Sequence, residues 1–155
     1  MYQTYPVEVL SISDKGIDSK PGSSSNWMSQ IDGGGRKILV VDDEFLIRHM
    51  LTDIFTSVNF QVITAVDGMD GVNRFQEQKD QFDLVILDMV MPVMDGEQAF
   101  YKIRQINPSQ KILICSGYNN LDDVGAMIES GALGLLPKPF NLRELFEMIS
   151  THLNT

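Results

Sequence analysis

Five short β-rich apolar runs alternate with segments of helical apolar spacing after residue 36, and this alternation restricts the fold more than any other feature. The runs read KILVV, QVITA, FDLVILD, KILICS and GLLPKPF. In the segments that follow them, apolar residues recur every three or four positions, which is typical of the buried face of a helix. Strands that alternate with helices pair in parallel. The pattern therefore predicts an α/β protein with a parallel sheet covered by helices on both faces.

The third run ends in a way that a purely structural strand does not need. Residues 84–87 are all apolar, as in a strand buried on both faces, and Asp88 follows them directly. A turn punctuated by Pro92 and Gly96 comes next. In open parallel sheets the ligand site lies outside the carboxyl ends of the strands. We therefore expect Asp88 to mark a functional site at this edge of the sheet.

Polar side chains stand at the ends of other runs as well. Asp42 and Asp43 follow the first run, Ser116 ends the fourth, and Lys138 follows the fifth. Taken alone, each has an ordinary explanation, because Asp and Ser are common in turns and a lysine between prolines is typical of a solvated loop. The carboxyl ends of parallel strands share one edge of the sheet, so their joint occurrence predicts a single pocket.

The charges of such a pocket indicate its chemistry. The carboxylates of Asp42, Asp43 and Asp88 repel one another unless a cation joins them. Oxygen ligands without a complete protein cage suit Mg²⁺, or the similar Mn²⁺. An ionised Asp88 is a nucleophile that can form an acyl phosphate. Lys138 offers a positive charge and Ser116 a hydroxyl group to the phosphoryl oxygens.

Composition narrows the class of protein. The chain has 155 residues, enough for one domain with a hydrophobic core, and a formal net charge of −9. This charge argues against direct binding of nucleic acid, because nothing offsets phosphate repulsion. The single cysteine, Cys115, excludes an internal disulfide framework and a Cys-rich zinc site. No apolar run reaches the roughly 20 residues that span a bilayer, and no signal peptide is evident, so we expect a cytoplasmic protein without membrane contact.

The N-terminal part of the chain has a different composition from the rest. Residues 1–35 are rich in Ser, Gly, Asp and Gln and contain KPGSSSN and DGGG. Their VEVLSIS segment alternates like a strand, but no neighbouring pattern offers it a partner. We therefore predict a flexible N-terminal linker or tail over residues 1–35 and one domain over residues 36–155.

Four motifs, taken in order, are specific to one family. They are ILVVDDE, DLVILDMVMPVMDG, ILICSGY and GALGLLPKPF. On these motifs the sequence from Lys37 to Leu153 resembles the receiver domain of two-component response regulators. The resemblance implies a flavodoxin-like, three-layer α/β/α fold, in which five helices cover a five-stranded parallel sheet of order 2-1-3-4-5. It also implies a regulatory domain rather than an enzyme, one that assists only its own phosphorylation and dephosphorylation.

The resemblance implies a role for each acid in the predicted pocket. Asp88 matches the phosphoacceptor, which takes a phosphoryl group from the phosphohistidine of a histidine kinase or phosphotransfer domain. Asp43 matches a direct ligand of Mg²⁺, and Asp42 matches an acid that acts mainly through a bound water. Val90 matches the ligand that uses its backbone carbonyl, and Asp88 completes the set of metal ligands.

The resemblance also implies a switch. Ser116 matches the hydroxyl group that moves toward the phosphoryl group, and Lys138 matches the lysine that pairs with it. The bond between Lys138 and Pro139 matches a peptide bond that is cis in the family. The chain departs from the family at Leu135, where a Tyr or Phe is usual. Leu135 offers no aromatic rotamer to couple to the movement of Ser116, and we expect it to affect packing alone.

Two further positions bear on the lifetime of the phosphoryl group. Val90 and Tyr118 match positions that tune dephosphorylation in the family. Val90 has no polar group that could place an attacking water, and Tyr118 is bulky. We therefore predict a phosphoryl group that lasts for minutes or longer rather than seconds.

The sequence leaves several functions open. The downstream partner is an unidentified protein, and the chain is either a stand-alone regulator or a receiver excised from a hybrid sensor kinase. A phosphatase of the haloacid-dehalogenase type also uses an Asp nucleophile with Mg²⁺, but it normally has a second Asp where this chain has Val90. A flavin-binding electron carrier of the same fold needs a loop rich in Ser, Thr and Gly after the first strand, where this chain has Asp-Asp-Glu.

Overall fold

Strands and helices alternate along the chain in a computed structural model that describes residues 27–78, 81–117 and 121–153. The strands are β1 (Lys37–Val41), β2 (Gln61–Ala65), β3 (Leu84–Asp88), β4 (Ile112–Ser116) and β5 (Gly134–Pro137). The helices are α1 (Phe45–Ser57), α2 (Gly68–Glu77), α3 (Gly96–Ile106), α4 (Leu121–Glu129) and α5 (Leu142–Leu153), and a short 3₁₀ helix, Trp27–Gln30, precedes β1. Along the described residues, no helix has the length and apolar character that crossing a bilayer requires.

The sheet has the topology that the resemblance implied. All five strands pair in parallel, in the order β2-β1-β3-β4-β5. This order confirms the predicted flavodoxin-like fold, and it reverses between β1 and β3, where open α/β sheets bind their ligands. Val41 of β1 lies opposite Leu87 of β3. The next residues, Asp42 and Asp88, therefore lie side by side at the carboxyl edge.

Two hydrophobic clusters cover the sheet, one on each face. In β1, Leu39 and Val41 join the cluster under α2, α3 and α4, whereas Ile38 and Val40 join the cluster under α1 and α5. β3 contributes to both clusters, and all five of its residues are buried. The predicted burial of β3 on both faces is thus confirmed, and the strand lies in the middle of the sheet.

Residues 27–35, the described part of the predicted tail, pack against the domain. Trp27, Met28 and Ile31 are partly buried against the cluster under α1 and α5. Composition assigns this segment to a flexible tail because Ser, Gly and Asp dominate it, but three apolar side chains are enough to anchor it. Residues 1–26, which include the VEVLSIS segment, lie outside the described residues.

Candidate functional site

Three acids meet where β1 and β3 leave the sheet. Asp42, Asp43 and Asp88 each offer a carboxylate oxygen, and these oxygens all lie within 4.8 Å of one another. Asp42 and Asp88 are buried, whereas Asp43 is exposed. The parallel pairing of β1 with β3 brings the acids together, as the positions of the acids in the sequence predict. Their oxygens form a group that can hold a hard cation such as Mg²⁺.

Lys138 enters the same pocket from the end of β5. Its ammonium nitrogen lies 2.7 Å from a carboxylate oxygen of Asp42 and 3.4 Å from one of Asp88. A third carboxylate oxygen, from Glu44, lies 3.6 Å away. The lysine side chain is mostly buried, so it is a fixed part of the pocket rather than a solvated loop charge.

The charges in this pocket do not cancel evenly. Burial, and after it the carboxylate of Asp42, raise the pKa of Asp88 to about 6, although Lys138 and the backbone N–H of Val90 act in the opposite direction. Burial lowers the pKa of Lys138, but the hydrogen bond and charge of Asp42, with the charge of Asp88, outweigh this effect and raise it to about 12. Lys138 therefore stays charged and neutralises mainly Asp42. Asp88 is left short of positive charge, which a bound cation would supply.

Two residues that the sequence did not single out hold Asp42 in place. The backbone N–H of Glu44 donates to the carboxylate of Asp42 at 2.9 Å. The guanidinium of Arg48, in α1, donates to the backbone carbonyl of Asp42 at 2.7 Å. Glu44 uses its backbone N–H, which any residue except proline offers, so its acidic side chain is no signal for this role. Nothing in the spacing distinguishes Arg48 from an ordinary solvated residue of a helix.

The loop between β3 and α3 contains a strained turn. The backbone N–H of Met94 donates to the carbonyl of Pro92 at 2.7 Å and closes a three-residue turn around Val93. Val93 has a φ of 68°, a value that is rare for a β-branched residue. Its side chain is 79% exposed, so no packing in the domain compensates the strain. Strained residues of this kind cluster at functional sites.

The start of α3 fixes the other end of this loop. The backbone N–H of Gly96 donates to the carbonyl of Met89 at 2.9 Å. Any side chain at Gly96 would collide with the backbone carbonyl of Asp88. The predicted turn at Pro92 and Gly96 therefore brings the loop close to the end of β3, and Val90 lies in this loop with its side chain exposed.

Ser116 ends β4 with a buried hydroxyl group. This group donates to the carbonyl of Gly117 at 2.8 Å. The backbone N–H of Lys138 donates to the carbonyl of Ser116 at 2.8 Å, and the peptide bond from Lys138 to Pro139 is cis, as the resemblance implied. Leu135, at the position of the usual switch aromatic residue, is partly buried against the cluster under α2, α3 and α4.

Exposed apolar side chains form a further feature that the sequence reasoning missed. Among the described residues, Tyr101 and Ile128 are exposed in α3 and α4, and the other exposed large apolar side chains lie in the segments that follow β1, β2 and β3: Phe45, Leu46, Val66, Met69, Val90 and Val93. We call this set the apolar rim, because these segments share the carboxyl edge of the sheet with the acids. Concentrated apolar exposure is typical of a protein-binding surface. The sequence did hold a signal for this feature. Phe45 and Leu46 are apolar but come before Ile47, the first residue of the apolar face of α1.

The sequence of this chain matches the model of one protein family. The profile of the response regulator receiver domain matches residues 38–150. The chain is similar to the chemotaxis protein CheY of Thermotoga maritima, with 34% identity over 117 residues that cover 75% of this chain and 96% of the relative. It is also similar to sporulation initiation phosphotransferase F of Bacillus subtilis, with 32% identity over 76% of this chain and 93% of that protein.

Solved structures agree with the sequence relatives. A receiver domain protein from Clostridium thermocellum superimposes with a TM-score of 0.73 at 31% identity, over 77% of this chain and 94% of that one. A chain from the CheX–CheY–BeF3–Mg complex of Borrelia burgdorferi gives a TM-score of 0.71 at 28% identity, over 81% of this chain and 92% of that one.

These matches, with the acidic pocket, support a phosphoacceptor switch among the functions that the sequence left open. They do not favour a phosphatase of the haloacid-dehalogenase type. Receiver domains are phosphoacceptor switches that bind Mg²⁺ at an acidic pocket and interact with kinases or phosphotransfer proteins, and such an acidic pocket is present here. The chain belongs to the family of response regulator receiver domains and is a phosphoacceptor signalling switch.

Proposed function

We propose that Asp88 is the phosphoacceptor and that its donor is the phosphohistidine of a histidine kinase or phosphotransfer domain. The proposal rests on a buried carboxylate that ends β3 within 4.8 Å of two other carboxylates and 3.4 Å from the ammonium of Lys138. In the transfer, an oxygen of Asp88 attacks the phosphorus. The new O–P bond forms as the P–N bond of the donor breaks, and the released imidazole takes up a proton.

Asp42, Asp43 and Asp88 are the proposed ligands of Mg²⁺ or Mn²⁺, together with the backbone carbonyl of Val90. Carboxylate oxygens suit both ions. Burial, and after it the charge of Asp42, raise the pKa of Asp88, and a cation in the pocket would offset both effects. When bound, the ion supplies positive charge to the phosphoryl oxygens and keeps Asp88 ionised. The remaining positive charge comes from the protein itself, through Lys138.

Lys138 and Ser116 are the proposed switch residues. A phosphoryl group brings additional negative charge to Asp88. The ammonium of Lys138, which now lies nearer to Asp42 than to Asp88, is drawn toward the phosphoryl oxygens. The hydroxyl of Ser116 leaves the carbonyl of Gly117 and donates to the same oxygens. These two movements shift the equilibrium between two conformations and thereby change the surface that a downstream protein binds.

The apolar rim is the proposed contact for the phosphoryl donor. A donor histidine must come within bonding distance of Asp88, so its own protein must cover the edge of the sheet around the pocket. Phe45 and Leu46 are 65% and 75% exposed there, and their burial favours association. The donor is thus a protein with an apolar surface next to its phosphohistidine, and we expect the encounter in the cytoplasm.

Intact mass after incubation with acetyl phosphate and Mg²⁺ tests the assignment of Asp88. The wild-type protein should gain one phosphoryl group. Asp88→Asn should gain none, because an amide is not a nucleophile toward phosphorus. Asp53→Asn is a matched control, since Asp53 is an exposed acid of α1 that lies beside His49. A phosphoryl gain in Asp88→Asn, or its loss in Asp53→Asn, would contradict the proposal.

The lifetime of the phosphoryl group is a separate prediction. The exposed side chain of Val90 cannot hold an attacking water, and Tyr118, the second residue behind this prediction, lies outside the described residues. After removal of the donor, the phosphoryl mass should persist for minutes or longer. Val90→Asn should shorten this time, because an amide can orient water. Release within seconds from the wild-type protein would show that the prediction is wrong.

A further inference from the structure

One end of the segment 27–35, which we call the N-terminal strap, contacts α5. The indole ring of Trp27 lies 5.7 Å from the ring of Phe146, and the guanidinium carbon of Arg143 lies 5.9 Å from the indole. Met28 and Ile31 pack against the same hydrophobic cluster. An aromatic pair and a cation–π contact both depend on ring geometry, so this end of the strap is sensitive to small movements of α5.

The other end of the strap is tied to the turn between α1 and β2. The backbone N–H of Gly33 donates to the carbonyl of Val58 at 2.7 Å, and the backbone N–H of Gly35 donates to the backbone carbonyl of Asn59 at 2.8 Å. The amide of Asn59 donates to the carboxylate of Asp32 at 2.9 Å. These bonds fix the strap close to β1, so a movement of α5 changes the contact at Trp27 rather than carrying the whole strap along.

A short segment connects the phosphorylation pocket to the α5 end of the strap. Arg143 follows Lys138 by five residues, and the segment between them passes through Phe140. Phe140 packs against the same hydrophobic cluster as Trp27. The ammonium of Lys138 lies between the carboxylates of Asp42 and Asp88. Lys138 is therefore linked through a short segment to the first turn of α5.

We propose that the N-terminal strap is coupled to phosphorylation, so that a phosphoryl group on Asp88 changes the contact between Trp27 and α5. The added charge draws Lys138 from Asp42 toward Asp88, and the segment after Lys138 moves the start of α5. This inference rests on the proposed role of Asp88 and adds an effector segment within the same chain.

The fluorescence of Trp27 gives a direct test, because it is the single tryptophan of the chain. The wild-type protein is incubated with acetyl phosphate and Mg²⁺, and tryptophan emission and intact mass are followed on the same samples. The emission maximum should shift with the time course of the phosphoryl gain and return as the phosphoryl group is lost. Asp88→Asn should show neither change.

Reciprocity gives a second test with equilibrium binding. If phosphorylation alters the strap, removal of the strap contact must alter the affinity for a phosphoryl mimic by the same factor. We expect Trp27→Ala to change the apparent affinity for beryllofluoride with Mg²⁺ by about fivefold or more, as measured by fluorine NMR. Trp27→Phe, which keeps an aromatic ring, should lie near wild type. Val72→Ala, a truncation in the cluster on the opposite face, controls for a general loss of stability.

The outcomes separate the two proposals. A phosphoryl gain without a shift of Trp27 emission would overturn the coupling and leave the role of Asp88 intact. The absence of a phosphoryl gain in the wild-type protein would overturn the proposed function and the coupling with it. Equal beryllofluoride affinities for wild type and Trp27→Ala would also overturn the coupling. Equal changes in beryllofluoride affinity for Trp27→Ala and Val72→Ala would show that the effect comes from lost stability, and this result would also overturn the coupling.

Discussion

The middle of the sheet buries apolar side chains, whereas its carboxyl edge buries charged ones, and β3 runs from one region to the other. Residues 84–87 are buried between two hydrophobic clusters. One position later, Asp88 is buried beside the carboxylates of Asp42 and Asp43. The apolar residues of this five-residue strand thus belong to the hydrophobic core, and its last residue belongs to the acidic pocket.

Burial has opposite energetic signs in these two regions. Apolar side chains gain about 25 cal/mol for each Å² removed from water. An ionised carboxylate loses its hydration on burial, and in this pocket it also meets charges of the same sign. The pKa of Asp88, raised from 3.8 to about 6, reflects that loss. Removal of a buried apolar side chain should therefore destabilise the middle of the sheet, whereas neutralising the buried carboxylate of Asp88 should stabilise its edge.

The largest expected effect is in the hydrophobic cluster under α1 and α5. Phe55 is fully buried, and its ring lies 5.6 Å from that of Phe60 and 5.4 Å from that of Phe146. Phe55→Ala should lower the free energy of unfolding by about 3–5 kcal/mol, because it leaves a cavity. Denaturant unfolding measures this change. Phe45→Ala is the matched control in the exposed rim and should change the same quantity by about 0.5 kcal/mol or less.

At the edge, removal of a charge should have the opposite sign. Asp88→Asn keeps the size of the side chain but removes a carboxylate that burial and Asp42 both disfavour. Without Mg²⁺ at pH 7, we expect the free energy of unfolding to rise by about 1–3 kcal/mol. Asp53→Asn, in which an exposed acid of α1 is lost, should change it little. A destabilised Asp88→Asn would contradict the contrast between the two regions.

The same contrast predicts a dependence on pH. Between pH 3.8 and about 6, the folded protein holds a proton on Asp88 that the unfolded chain has lost. This group therefore favours the folded state at low pH, and its contribution is lost as the pH rises through about 6. The difference in stability between Asp88→Asn and wild type should shrink as the pH falls from 7 to about 4. A difference that is independent of pH would assign the effect to packing.

Binding of Mg²⁺ should offset part of the destabilisation that the buried carboxylates cause at the edge of the sheet. At ten times its dissociation constant, an ion that binds only the folded protein adds about 1.4 kcal/mol to the free energy of unfolding. We expect this gain for the wild-type protein, measured as a rise in Tm at neutral pH. Asp43→Asn removes an exposed acid of the pocket and should lose most of the gain. An equal rise in both proteins would point to a non-specific effect of the salt.

The two regions also differ in how far the sequence predicts them. The alternation of apolar runs predicted the five strands, and all five form in those runs. The strand order came from the resemblance, because periodicity alone does not say which parallel strands are neighbours. The shared carboxyl edge of parallel strands predicted that the polar residues converge, and the strand order made β1, which Asp42 follows, and β3, which ends at Asp88, direct neighbours.

The finer features of the edge could not be predicted, because they depend on differences in distance of less than 1 Å or on single contacts. Lys138 lies nearer to Asp42 than to Asp88 by 3.4 − 2.7 = 0.7 Å, and this small difference decides which acid is neutralised. The support from Arg48 is a single hydrogen bond to a backbone carbonyl, which has no sequence pattern. The strap was missed because its anchor, Trp27, lies within a segment of polar composition.

The smallest expected change in stability belongs to Ser116, and it sharpens the contrast most. The hydroxyl of Ser116 donates to the carbonyl of Gly117, an exposed residue whose carbonyl can accept a hydrogen bond from water instead. Ser116→Ala should therefore lower the free energy of unfolding by about 0.5 kcal/mol. The variant should still gain a phosphoryl group, because Asp88 is unchanged, but the shift of Trp27 emission should be reduced. A fall of several kcal/mol in the free energy of unfolding would make Ser116 a structural residue. A small fall together with a weaker shift of Trp27 emission would instead show that Ser116 contributes to switching rather than to stability.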